Sequence, residues 1–348
     1  MVHESWKEIS GQSAELRKSF DAMMREAGAV KVMLDRPGDI VFLGCGSSYW
    51  LSMSAARSFG LHTGRRAFAV KAGEVVMNPA EYALAYDRPI LICPSRSGRS
   101  TEQLEAVRIL KGFYGGDVPV LAIVEYEDTD LEKMAGLTVR LPWANEVSVC
   151  QTRSFSCLYL ASVLVGAIAS GNAELTDGLE RFITALAQRQ IDLGQAVAGI
   201  VESFAEFRYL VALGSGRQYG VAIEGAYIGI EMAQIRANYY SVLELRHGPI
   251  VTTGADTLVA ILSNGPARAL EEDMAADAHR QGAKVLAVVG NGGFHNADWV
   301  FELGGEFPAE AVALYYIFVM QAFAYWQAVR LGVDPDKPGD LVPYITLQ

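Results

Sequence analysis

The sequence is poor in positive charge. Its 348 residues carry 29 Lys and Arg against 40 Asp and Glu, a formal net charge of −11, and no basic cluster relieves that deficit. Nucleic-acid binding depends on lysines and arginines that displace counterions, so no polynucleotide partner is expected. Cysteine is sparse too. Cys45, Cys93, Cys150 and Cys157 lack CxxC spacing, and two of them fall in apolar strand-like runs where a thiol acts as a small hydrophobe, which points to a reducing cytoplasm. No HxH, HExxH or Asp/Cys cluster supplies metal ligands, so neither a metal nor another cofactor is expected. The opening MVHESWKEIS has no apolar core, hence no secretory signal is expected. The longest apolar stretch, AVALYYIFVMQAFAYW from Ala311, is shorter than a bilayer span and is interrupted by Gln321, so it reads as a buried helix and not a membrane anchor.

What is present is apolar and periodic. With 51% hydrophobic residues the chain is too long for one ordinary core and suits two domains. Leu16, Phe20, Met23, Ala27, Val30 and Leu34 recur at three- and four-residue steps, the mark of an amphipathic helix. Short apolar runs follow: IVFL from Ile40, AFAV from Ala67, ILIC from Ile90, VPVLAIV from Val118 and LTVRL from Leu137. Apolar strands alternating with helices predict parallel sheets covered on both faces. The order then returns. RYLVALGSGRQYG from Arg208 mirrors DIVFLGCGSSYW, TLVAILSNG mirrors RPILICPSRSG, and LAVV from Leu286 mirrors LAIV from Leu121, which predicts a duplicated α/β unit. The stretch from Thr176 to Glu206 reads as a linking helix. The expected fold class is therefore α/β, with two tandem doubly wound, Rossmann-like parallel-sheet domains flanked by helices, residues 1–190 and 191–348.

Two strand ends carry chemistry. At VFLGCGSSYW, Gly44 and Gly46 allow an anion to approach the backbone, and Ser47 and Ser48 both cap a helix and offer hydroxyls. A dinucleotide fingerprint needs a third glycine where Tyr49 stands. At PSRSGRSTE, Ser95, Ser97, Ser100 and Thr101 surround Gly98, with Arg96 and Arg99 beside them and a helix to follow. That composition suits one phosphate monoester, and equally an ordinary capped turn; the lysine of a nucleotide-binding loop is missing. In the second half, Glu224 and Glu231 stand seven apart, two turns along one helix face among apolar neighbours. A carboxylate so placed is suited by burial to proton abstraction beside a carbonyl, or to a structural ion pair with a residue such as Arg236. His247, in LRHGPI, is the one histidine of five inside an apparent motif.

The set LGCGSSY, SRSGRSTE, EVSVCQTRSFS from Glu146, AIEGAYIGIE from Ala222 and ELRHGPI from Glu244 resembles the double sugar isomerase (SIS) domain family over nearly the whole chain. KEISGQSAELRKSF looks like the start of the isomerase half of glucosamine-6-phosphate synthase, which implies a free-standing isomerase-like module without the glutaminase domain. The resemblance implies that Ser48, Ser95, Arg96, Ser97 and Ser100 hold a sugar phosphate, with Gly46 and Ser47 in the same turn. It implies that the segment around Val149, Cys150 and Gln151 lies over the reacting end of the sugar. Glu231 takes the position of the general base, with Glu224 on the same face, and His247 that of the residue for ring opening and proton transfer, often across a subunit boundary.

One departure bears on the reaction. Synthase-type isomerases carry a lysine where this chain has Ile228, and another where it has Pro343; neither forms an imine. The expected function is therefore a cytoplasmic phosphosugar enzyme acting on a 6-phosphorylated ketosamine or amino sugar, by deglycase, deaminase or isomerase chemistry through an enediol or enolamine. The alternatives are an aldose–ketose phosphosugar isomerase and a non-catalytic sugar-phosphate sensor. A homodimer is implied by resemblance, with the aromatic helix from Tyr315 to Trp326 as a packing surface.

Overall fold

The computed structural model describes residues 3–263 and 265–346. Its strands form two five-stranded sheets, each parallel throughout. β1 (Ile40–Gly44), β2 (Ala67–Lys71), β3 (Ile90–Ser95), β4 (Val120–Val124) and β5 (Leu137–Arg140) lie in the order β2-β1-β3-β4-β5. β6 (Tyr209–Leu213), β7 (Arg236–Tyr240), β8 (Thr257–Leu262), β9 (Lys284–Val289) and β10 (Trp299–Glu302) lie in the order β7-β6-β8-β9-β10. In each sheet the winding reverses beside the first strand, between β1 and β3 and between β6 and β8, where a doubly wound sheet opens a crevice.

The chain packs as two compact units. The N-sheet unit, with β1–β5, comprises Ala14–Glu146, Arg153–Glu180 and Val342–Gln348; the C-sheet unit, with β6–β10, comprises Met1–Ser13, Val147–Thr152 and Arg181–Leu341. A single helix, Ala173–Ser203, covers the stretch expected to link the halves. The helix expected from Leu16 to Leu34 is instead two, Glu4–Arg25 and Ala27–Leu34, because Glu26 leaves helical geometry at φ −89°, ψ 0°.

Every residue of β1, β3 and β4 is buried, as strands sandwiched between helices must be. Alternate side chains serve opposite faces. Val41, Leu43, Leu91, Cys93, Val120 and Ala122 pack with Leu104, Val107 and Leu110 of helix Thr101–Tyr114. Helices Ser47–Thr63 and Arg153–Ser170 pack together in the same unit. Each buried Leu, Ile or Val contributes about 1.5–3 kcal/mol, so these layers hold the strand ends in place. In the C-sheet unit, Val211, Leu213, Val259, Ile261 and Val285 pack with Met274 and Ala278 of helix Arg268–Arg280.

The apolar stretch from Ala311 is helix Ala309–Leu331, buried within its own unit and packed on helix Tyr219–Ala233. Gln321, fully buried, is satisfied on both sides: its Nε2 donates to the Thr152 carbonyl at 2.8 Å and its Oε1 accepts from Gln12 at 2.9 Å. Helix Arg153–Ser170 is the other described helix long and apolar enough to cross a membrane, and it too is mostly buried inside the fold. The expectation that Tyr315 to Trp326 present a packing surface is corrected. Tyr315, Tyr316, Phe318, Phe323 and Tyr325 are spent on the core, and half-buried Trp326 donates its indole N–H to the Gly194 carbonyl at 3.0 Å.

The turn after β3 is the tightest point of the N-sheet unit. Gly98 has φ +60°, and a Cβ there would fall 2.6 Å from the Thr129 side chain. Gly98→Ala therefore combines left-handed strain with overpacking and is expected to cost about 3 kcal/mol in urea denaturation. Gly112→Ala, inside the following helix with open space around it, is expected to stabilise by about 0.8 kcal/mol.

Candidate functional site

β1 and β3 are parallel neighbours, so their carboxyl ends lie side by side where the winding reverses. Gln103 ties them together, its Nε2 donating to the Leu43 carbonyl at 2.8 Å and the Pro94 carbonyl at 3.1 Å. β1 turns through Gly44, Cys45 and Gly46 straight into helix Ser47–Thr63. A Cβ on Gly44 would sit 2.6 Å from the Ser48 backbone, so only glycine permits this approach. β3 turns through Arg96–Ser100 into helix Thr101–Tyr114. Both helices thus direct their N-termini, the positive end of a dipole, towards the ends of these strands.

The side chains at these turns are polar and buried. Ser47, Ser48, Ser95, Arg96 and Ser97 are all at most 7% exposed. Ser95 Oγ accepts from the Gly98 N–H at 3.1 Å and Ser97 Oγ from the Arg99 N–H at 3.2 Å. Ser100 is the N-cap residue, yet its side chain makes no capping bond. The C-terminal segment meets the same loop: Arg96 Nη2 donates to the Pro343 carbonyl at 2.5 Å, and the Thr101 N–H donates to the Ile345 carbonyl at 3.3 Å. Carbonyl oxygens therefore occupy two donors of the kind an anion would use.

Behind the loop backbone stands a group that the sequence reading passed over. The Glu125 and Tyr126 N–H groups donate to the Arg96 carbonyl at 3.2 and 3.3 Å. The Glu125 side chain is buried, and burial, then the charge of Glu146, holds its carboxyl well above the usual carboxylate range, with Arg96 and Arg153 pulling the other way. Arg153 lies within the EVSVCQTRSFS motif. Glu125 left only a faint trace in the sequence, as the first acid of the stretch EYEDTD that follows the run VPVLAIV.

In the C-sheet unit, Glu224 and Glu231 lie on helix Tyr219–Ala233, Glu224 buried and Glu231 half-buried. Tyr227, three residues after one and four before the other, shares their face. Burial raises its hydroxyl pKa most, followed by Tyr239 and then by Glu231 and Glu224, so both carboxylates bear on one phenol. The Tyr227 and Tyr239 rings stand 6.0 Å apart. His247 follows the 3-10 helix Val242–Arg246 with its side chain exposed, and its N–H donates to the Glu244 carbonyl at 3.1 Å. Val149 and Gln151 are half-buried in the short Val147–Thr152 segment of this unit. That segment is held by the Glu8 carboxylate, which accepts from the Val147 N–H at 2.6 Å, and by the Val149 N–H, which donates to the Asp336 carbonyl at 3.1 Å.

The structure thus groups Gly46, Ser47, Ser48, Ser95, Arg96, Ser97 and Ser100 in the N-sheet unit, and Val149, Gln151, Glu224, Glu231 and His247 in the C-sheet unit. The corresponding end of β8 is built differently. Ser263 donates its hydroxyl to buried Glu271 at 2.6 Å and accepts from Arg268 Nε at 3.0 Å. A phosphate there would meet a carboxylate. Among the described residues no group of three or more His, Cys, Asp or Glu is placed to hold a metal ion.

With this geometry, residues 33–170 match the family model of the SIS domain. This segment of the chain is similar to a SIS domain. Along 96% of its length it is 25% identical to the glutamine–fructose-6-phosphate aminotransferase (isomerizing) of Yersinia pseudotuberculosis, of which it covers 54%. The chain spans about half the length of the curated relatives it matches. Among solved structures, the C-terminal domain of glucosamine-fructose-6-phosphate aminotransferase from Francisella tularensis superposes with a TM-score of 0.85 at 20% identity, covering 97% of this chain and 99% of that one. Glucosamine-6-phosphate deaminase from Thermotoga maritima superposes with a TM-score of 0.83 at 27% identity, covering 99% and 100%. The matched segment holds both turns described above, at β1 and at β3.

Ser95 and Ser100 separate structural from ligand-directed roles. Ser95→Ala leaves the Gly98 N–H without its acceptor in a buried turn, an expected loss of about 1–2 kcal/mol in urea denaturation. Ser100→Ala removes no capping bond and is expected to change stability by less than about 0.5 kcal/mol.

Proposed function

We propose that the protein is an enzyme that binds a 6-phosphorylated ketosamine or amino sugar and releases its amine. The observation that carries this reading is the turn after β3, where Ser95, Arg96 and Ser97 are buried at the start of a 14-residue helix in a chain of net charge −11. Ser95 and Ser97 accept amide N–H groups through Oγ, so each hydroxyl keeps its proton to donate, and this set matches one phosphate dianion. The 27% identity to a glucosamine-6-phosphate deaminase over essentially both chains supports the choice of an amino sugar.

In this reading Ser48, Ser95, Arg96, Ser97 and Ser100 hold the phosphate, with Gly46 and Ser47 shaping the adjoining turn. Glu231 moves one proton between carbons 1 and 2 of the open-chain sugar. That shift turns the carbon–nitrogen single bond into an imine by way of an enolamine. Water adds to the imine carbon and the amine leaves with a proton, leaving a carbonyl sugar phosphate. The same step describes a deaminase, with nitrogen on carbon 2, and a deglycase, with nitrogen on carbon 1. His247 supplies the acid for ring opening and for the departing amine, while Val149 and Gln151 flank the sugar. No step calls on a lysine, in keeping with Ile228 and Pro343 at the two positions noted above. We propose further that both units are SIS-type copies of one ancestral unit, supported by their shared strand order, and that the active form is a homodimer in the cytoplasm.

The test is incubation with glucosamine 6-phosphate, a fructosamine 6-phosphate and fructose 6-phosphate in deuterated water, following amine release and deuterium at carbons 1 and 2 by NMR. Amine release from one of the first two, with solvent deuterium in the product, is the expected result. Glu231→Gln is expected to lower kcat about 10³-fold with little change in KM, since a general base contributes about 10²–10⁴. Full turnover by this variant removes Glu231 from the mechanism.

A further inference from the structure

Glu125 has no place in the chemistry proposed above. It follows β4 directly, both of its carboxyl oxygens are buried, and neither has a hydrogen-bond partner among the described residues. A buried polar group in that condition needs a reason. Its N–H is bonded to the carbonyl of Arg96, the arginine of the phosphate turn. Three other charged groups face it: Arg96 from the turn after β3, Arg153 from the first residue of helix Arg153–Ser170, and Glu146 from the segment before that helix. Cys157 of the same helix also feels Glu125, together with Glu146 and Glu15. Tyr126 adjoins it in the chain.

We propose that Glu125 is a positioning residue of the phosphate site, carried as a neutral acid so that its charge does not cancel those of Arg96 and Arg153 when a dianion arrives. This rests on the phosphate reading given above. With Glu125 neutral, Arg96, Arg153 and Glu146 sum to +1; with Glu125 ionised, the four sum to zero. Ionisation would weaken the site twice over, by adding a negative charge near the phosphate and by drawing on Arg96. Burial and Glu146 oppose that ionisation. Phosphate affinity should consequently fall when rising pH takes the proton off, and Gln, the neutral isostere, should abolish the fall.

The experiment is calorimetric binding of glucose 6-phosphate, whose second phosphate ionisation lies near about pH 6, to the wild type, Glu125→Gln and Arg96→Ala from pH 7 to 9.5. Cys45 and Cys93, pushed up to about 12 by burial, do not titrate in this range. At pH 7, Glu125→Gln should bind within twofold of wild type and Arg96→Ala at least tenfold more weakly. As pH rises the wild type should lose affinity while Glu125→Gln stays flat.

A second measurement needs no ligand. A carboxyl whose folded-state pKa is raised above the ordinary 4.5 keeps its proton in the fold after the unfolded chain has lost it. The folded state then binds more protons, so stability falls as pH rises from about 4.5 towards the folded-state value. Gln does not titrate, so the Tm of Glu125→Gln minus that of wild type should grow by at least about 2 °C between pH 5 and 8. Equal pH dependence of binding in wild type and Glu125→Gln, fivefold weaker binding by Glu125→Gln at pH 7, or a Tm difference that does not grow with pH overturns this inference alone. No binding of glucose 6-phosphate by wild type at any pH overturns the phosphate reading and this inference with it.

Discussion

A parallel strand buried on both faces can present polar atoms to a ligand only at its ends. That constraint organises this molecule. β1 and β3 are apolar along their paired length, and the first side chains able to bind anything appear where they stop, at Ser47 and Ser95. The turn into the next helix is so short that backbone meets backbone. Gly44 is obliged by the closeness of Ser48, and Gly98 by the closeness of Thr129. The result is two helix N-termini and a row of hydroxyls held in place by a buried core, with the Arg96 guanidinium on the Pro343 carbonyl.

The two sheets share one strand order and yet differ in what they offer. At the end of β3 the serine hydroxyls accept from amides of their own loop, and burial disfavours the ionised form of Glu125, whose N–H is bonded to the Arg96 carbonyl. At the end of β8 the serine is taken by Glu271 and Arg268. The first of these two ends is the one proposed to take the phosphate. The second unit carries the carboxylates of helix Tyr219–Ala233 and the exposed His247, groups chemically suited to moving protons.

Much of the fold was legible because apolar strands announce themselves. IVFL, AFAV, ILIC, VLAIV and LTVR are β1–β5, and YLVAL, TLVAIL and VLAVV fall in β6, β8 and β9. β7 and β10 escaped because RANYY and WVFE put charged or polar residues where an apolar run would show, whereas β2 and β5, also at sheet edges, keep AFAV and LTVR. The break at Glu26 was illegible for the opposite reason: the apolar stripe continues across it, and periodicity reports a face without reporting a hinge. The glycine and serine turns were readable, since their residue types answer to local geometry. Glu125, Arg153 and Tyr227 were not, because each matters through neighbours distant in sequence; the apolar run before Glu125 says nothing of Arg96 or Glu146 beside it.

The central claim is that the turn after β3 receives the phosphate, and the most direct measurement is the position of phosphorus in crystals soaked with a hexose 6-phosphate. The account predicts density within hydrogen-bond reach of Ser95–Ser100 at the start of helix Thr101–Tyr114, with the guanidinium of Arg96 turned to it. Phosphorus at the end of β8, or a turn after β3 that keeps Arg96 on the Pro343 carbonyl and takes up no phosphate, contradicts it.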